Sequence, residues 1–193
     1  MTRRRGLCAI LLLVPAIAGT QADYLSARRK FRQIGNQQVR PGSTVTLTEE
    51  ELNAYFQTEA REVEGVREPR VQLAKERVEA FLLVDFAKLK SARGEKPGWL
   101  LSQMLSGERP VYLRTRLVSS GGKATVYLER VEINGLGVEG RTLDFLVRNY
   151  VQPHYPEARI GEPFELDYRI DRIDVKSGGV GVVIGGGVNS ARR

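Results

Sequence analysis

Cysteine, histidine and tryptophan are nearly absent: the chain of 193 residues has one of each. A single Cys excludes a disulfide framework, and one Cys with one His excludes most Cys/His metal centres. The longest apolar run, residues 7–18, falls short of the ~20 residues a membrane-crossing helix needs, which excludes a polytopic membrane protein. Acids are in deficit, with Asp+Glu at 23 against Lys+Arg at 30, so the net charge of +7 points toward anionic partners. No serine lies in a nucleophile-elbow pattern, and Gly185-Gly186-Gly187 lacks the Lys-Ser/Thr that completes a phosphate loop. What is present suffices for a core: 41% hydrophobic residues on a chain of one-domain length.

Residues 1–22 read as an address rather than as fold. Arg3, Arg4 and Arg5 precede the apolar run from Leu7 to Ala18, and Ala16-Ile17-Ala18 offers an A-x-A cleavage site. Cutting after Ala22 is a second option, and retention as an anchor is the alternative to cleavage. Thr2-Arg3-Arg4-Arg5 also resembles a twin-arginine signal, weakened by Gly6, and Cys8 has no lipobox. Removal of the segment lowers the net charge of +7 to +4 and takes the only Cys with it, which suits an oxidising compartment. The expected location is periplasmic or extracellular, with membrane association open.

Residues 23–43 are expected as a basic helix (Asp23 to Ile34) and a linker, 44–184 as a single α+β domain, and 185–193 as a flexible tail. Thr48 with Glu51 three residues on is a capping box, which marks the strongest helix start in the chain. From Arg70 the period becomes two: Val71 and Leu73, then Val78, Ala80, Leu82, Val84 and Phe86. A short helix, Trp99 to Leu105, follows Lys96-Pro97-Gly98. Pro110 then opens a strand with Val111, Leu113, Thr115 and Leu117 on one face and Tyr112, Arg114 and Arg116 on the other. Ser119-Ser120-Gly121-Gly122 turns it into the return strand, Lys123 to Ile133.

That return strand changes phase. Ala124, Val126 and Leu128 are even, whereas Val131 and Ile133 are odd, so a bulge is expected at Glu129-Arg130. A second slip is expected at Asp171-Arg172, between Phe164, Leu166, Tyr168, Ile170 and the later pair Ile173, Val175. Each slip could instead separate two shorter strands. Between them Leu143, Leu146, Val147 and Tyr150 sit at helical spacing. Ser177-Gly178-Gly179 turns a last hairpin into Val180 to Ile184. The predicted class is α+β, with a strongly curved, mostly antiparallel sheet of long bulged hairpins wrapped around or packed on amphipathic helices.

Candidate chemistry is thin. His154, between two prolines, reads as an exposed loop residue rather than a general base. Glu49 to Glu51 read as helix capping. Asp167, Asp171 and Asp174 alternate with arginines and read as a salt-bridged face rather than a metal cluster. Gly135-Leu136-Gly137-Val138-Glu139-Gly140 has the letters of a dinucleotide fingerprint, but its flanking strands look hairpin-linked, so a tight strand-to-helix connection explains it better. No catalytic residue, metal or cofactor is expected. Arg28, Arg29, Lys30 and Arg32 form a patch for an anionic membrane surface or polyanion, and after export nucleic acid is not the expected partner.

The order of an exported N-terminus, a basic helix, Leu47-Thr48-Glu49-Glu50-Glu51-Leu52-Asn53-Ala54-Tyr55, long hairpins, and a helix after Val131-Glu132-Ile133-Asn134-Gly135-Leu136 resembles small bacterial envelope proteins of the tubular lipid-binding (TULIP-like) superfamily. The resemblance covers roughly 45–184 and lies in pattern alone. It implies a curved antiparallel sheet around a helix, with an apolar groove for lipid chains. The helices here are shorter than that family's. The expected function is non-catalytic binding of lipid or another apolar ligand. The groove would be lined by Val111, Leu113, Leu117, Ala124, Val126, Leu128, Phe164, Leu166, Tyr168 and Ile170 and closed by Leu143, Leu146 and Val147. The alternative is an adaptor of an envelope complex with a filled core.

Overall fold

The computed structural model describes residues 20–89, 99–152 and 160–186. In chain order the elements are α1 (Gln21–Gly35), β1 (Thr44–Thr48), α2 (Glu49–Glu59), β2 (Val66–Ala74), β3 (Arg77–Asp85), α3 (Trp99–Met104), β4 (Glu108–Ser120), β5 (Lys123–Ile133), β6 (Leu136–Gly137), α4 (Gly140–Leu146), β7 (Pro163–Glu165), β8 (Ile170–Lys176) and β9 (Gly179–Ile184). A π-type turn, Val147–Val151, extends α4. The architecture is α+β, and among the described residues every strand pairing is antiparallel. One sheet runs β1-β9-β8. The other runs β2-β3-β4-β5-β6, and β7 pairs with part of β5.

Both expected bulges are present. The β4–β5 register shifts between Arg114 and Thr115, which leaves Glu129 as the extra residue, and the β8–β9 register shifts between Ile170 and Arg172, which leaves Asp171. The long strand expected from Phe164 to Ile170 is not continuous. Phe164 belongs to β7 against β5, and the chain then turns at Tyr168 and Arg169, whose φ values are +57° and +61°. Two consecutive left-handed residues cannot continue a strand. Three elements were not foreseen as strands: β1, the short β6, and the part of β2 before Arg70, where Pro69 lies within a register shift.

Two helices begin with reciprocal caps. At α2 the Glu51 N–H donates to Thr48 Oγ1 at 3.2 Å and the Thr48 N–H to Glu51 Oε2 at 2.9 Å. At α1 the Asp23 N–H donates to Thr20 Oγ1 at 3.2 Å and the Thr20 N–H to Asp23 Oδ2 at 2.8 Å. The Thr20 hydroxyl, which donates to Asp23 Oδ2 at 2.6 Å, and the Thr20 N–H together hold the Asp23 carboxyl below its ordinary range. Cleavage after Ala18 would keep this cap, and cleavage after Ala22 would remove it. A chain starting at Gly19 is therefore expected to resist urea better than one starting at Asp23, by about 1 kcal/mol, and Thr20→Ala to reproduce the loss. Equal midpoints for the three proteins would refute the cap's contribution.

The interior divides in two. Ala27, Ile34, Leu47, Leu52, Leu73 and Val182 belong to one buried cluster, where α1 and α2 meet both sheets. Val84, Val111, Val131, Ile133, Val138 and Leu146 belong to the other, where the larger sheet meets α4. Leu47 and Ile133 are almost fully buried, and such burial contributes about 2 kcal/mol per side chain. The hairpin β4–β5 passes through both clusters, with Leu117 packed on the first and Leu113 and Leu128 on the second. Ser119 ties the sheets together: its Oγ donates to the Ile173 carbonyl at 2.9 Å and accepts the Ile173 N–H at 2.7 Å.

Strand β2 is an edge of the larger sheet, and α2 closes it. The Asn53 side chain, 4% exposed, accepts the Val71 N–H at 2.8 Å and donates to the Val71 carbonyl at 2.9 Å. Glu49 Oε2 accepts the Leu73 N–H at 2.8 Å. Side chains of a helix thus occupy hydrogen-bonding positions that a further strand would take.

Candidate functional site

The residues expected to line an inner groove do not gather around one opening. Val111, Leu113, Leu128, Leu143 and Leu146 lie in or against the second cluster, and Leu117 and Ile170 against the first. Ala124 is buried, Val126, Val147, Phe164 and Leu166 are half-buried, and Tyr168 is exposed at its turn.

The basic helix face is also divided. Arg28, Arg29 and Arg32 are exposed, and with Leu25, which is 46% exposed, they follow one helical stripe. Among the described residues no carboxylate pairs with any of the three. Lys30 turns away from them. Its Nζ donates to Glu51 Oε1 and Oε2 at 2.6 and 2.7 Å and to the Thr46 carbonyl at 2.7 Å. Glu51 is buried and also accepts the Ser26 hydroxyl at 2.5 Å. Burial pushes the Glu51 carboxyl up, but Lys30, Ser26 and the Thr48 N–H together hold it below its ordinary range.

The most ordered polar surface is the outer face of the larger sheet. Register aligns Arg70, Phe81, Tyr112 and Glu132 in one row across β2 to β5. The next row is Gln72, Glu79, Arg114 and Arg130, and the one after it is Ala74, Arg77, Arg116 and Tyr127. Arg114 and Arg130 stand directly opposite each other, as do Arg77 and Arg116, and like charges so placed repel. Carboxylates relieve this. Glu79 binds Arg114 at 2.9 Å, Glu132 binds Arg130, and Glu129 binds Arg77 at 2.9 Å and Arg116 at 3.5 Å. The bulge residue Glu129 reaches two arginines.

Aromatic rings interleave with these charges. The Phe81 and Tyr112 rings lie 4.8 Å apart, and the Arg116 guanidinium lies 4.3 Å over Tyr127. Burial and the neighbouring Glu79 push the Tyr112 phenol up. A cleft of about 560 Å³ opens over the first row, between Arg70, Gln72, Phe81, Leu83, Pro110 and Tyr112. A second, of about 610 Å³, lies beside the β2 bulge, with Arg61, Val63, Glu64, Pro69, Arg70 and Lys88 on its walls. Arg70 and Glu68 line both clefts. Among the described residues neither Arg61 nor Arg70 pairs with a carboxylate, whereas Arg67 pairs with Glu108 and Lys88 with Asp85.

The sequence reading placed Tyr112, Arg114 and Arg116 on this face but missed its centre. The signal was Phe81 and Leu83, apolar residues at positions where polar ones were expected. Asp171 and Asp174 both pair with Arg172, as a salt-bridged face requires. Gly135 belongs to the turn from β5 into the antiparallel β6, which makes the glycine motif a hairpin. His154 and the tail 187–193 lie outside the described residues. Comparison with protein-family models, curated proteins and solved structures finds no match.

Proposed function

We propose that the protein is an exported, non-catalytic binding protein of the cell envelope whose ligand is a lipid or a similar amphiphile. The observation that carries this is the cleft over Phe81 and Tyr112, an apolar floor at the edge of an array of arginines. Its volume of about 560 Å³ lies in the range of small-molecule sites, roughly 300–1,000 Å³. The exposed stripe of Leu25, Arg28, Arg29 and Arg32 supports approach to an anionic membrane surface, since basic residues beside such a surface gain about 1 kcal/mol each. A strongly curved sheet with an inner groove is the family-like form of the same proposal, and the outer cleft does not require it.

An adaptor role is the second reading, favoured by the packing of both inner faces into buried apolar clusters. Native mass spectrometry of full-length protein recovered after export by a bacterial host separates the two. An adduct in the lipid mass range, displaced by a fluorescent fatty acid, is the expected result. Repeated absence of any adduct, with no binding of the fluorescent acid, would leave the adaptor reading.

A further inference from the structure

We propose that the row Arg70–Phe81–Tyr112 is the ligand's binding site and that it takes a carboxylate-bearing amphiphile. Its carboxylate would meet the Arg70 guanidinium and its apolar chain would cross the rings toward Leu83 and Pro110; this rests on the reading of the protein as an amphiphile binder. Four observations converge on it. Arg70 is exposed and without a carboxylate partner among the described residues, so its fork of donors is free for a planar anion. Register puts Phe81 directly beside Arg70, and Tyr112 directly beside Phe81. Phe81 is 40% exposed and its ring lies 4.8 Å from that of Tyr112, so the two rings make a joint apolar patch on the cleft wall. Glu79 and Arg114 hold the neighbouring row in place at 2.9 Å, and Arg114 lies 5.8 Å over the Tyr112 ring, so the platform is pre-formed.

The charge of the headgroup follows from the same walls. Arg70 supplies the free positive charge of the cleft, while Glu68 and Glu132 also line it, Glu132 being paired with Arg130. Such a wall admits a single negative charge paired directly with Arg70. It opposes a doubly charged phosphate monoester, and a cationic headgroup would face Arg70 itself.

Calorimetric titration of the full chain with dodecanoate, dodecyl phosphate and dodecylamine, each below its micelle-forming concentration, tests the assignment. Dodecanoate is expected to bind most tightly. Arg70→Gln should weaken it about tenfold or more, the usual size of a charge-assisted pair. Phe81→Ala should weaken all three probes, and Arg29→Gln on α1 should change none. Circular dichroism confirms that each variant is folded. Dodecanoate binding that Arg70→Gln leaves unchanged would overturn this site while the amphiphile reading stands. Equal binding of dodecylamine and dodecanoate would overturn the carboxylate. Binding of none of the three would overturn both.

Discussion

Asn53→Ala is expected to lower the unfolding free energy by about 3 kcal/mol, because it strands the N–H and the carbonyl of Val71 together. Both groups lie on an edge strand under a helix, where water cannot replace the lost partner at low cost. Asparagine is a poor helix former, so its place in the middle of α2 is explained by what it does for the neighbouring strand. Asn53→Asp keeps an acceptor for the Val71 N–H, loses the donor to the carbonyl and buries a carboxylate, and should cost at least as much. Urea unfolding gives the magnitude, and hydrogen exchange gives the place: the Val71 amide should lose protection before other amides of the sheet. A loss below about 1 kcal/mol would mean that the edge finds another partner.

Glu51→Ala should cost about 3 kcal/mol at neutral pH, since one buried carboxylate serves the Thr48 cap, the Ser26 hydroxyl and the Lys30 ammonium. Glu51→Gln should cost less, because an amide can still cap. The pH dependence has a definite sign. The folded carboxyl titrates below its unfolded value, so its stabilisation is complete above the unfolded carboxylate range and is lost as the pH falls through the folded value. The gap between wild type and Glu51→Gln should therefore narrow on acidification. A gap that stays constant or widens toward low pH would show that Lys30, Ser26 and the Thr48 N–H together do not hold Glu51 charged.

Part of this fold was legible because it follows local periodicity. The slips at Glu129 and Asp171 appear as changes of phase along one strand, and the Thr48–Glu51 box as a spacing of three. Other parts depend on partners far along the chain. Thr44-Val45-Thr46-Leu47-Thr48 alternates, but a strand so short is stabilised by β9, which no local pattern reveals. The turn at Tyr168 and Arg169 contains neither Gly nor Pro to mark it. The row of Arg70, Phe81 and Tyr112 needs the register of three strands. That register passes through the shift around Pro69, which was itself a readable sign of a bulge or an edge. Lys30 looked like one of four equal surface charges, and only the packing of α1 against α2 separates it from the arginines.

The pairing of β1 with β9 joins the first and the last strand of the described residues. Hydrophobic cover for α1 and α2 therefore depends on Val175, Val182 and Ile184, which a ribosome or an export channel delivers at the end. Until then the amino-terminal helices lack that part of their cover and β1 lacks its partner strand, a long-range closure of the kind that slows folding. If the proposed export proceeds through a channel that takes unfolded chains, that delay is useful: β1 cannot close until β9 is through.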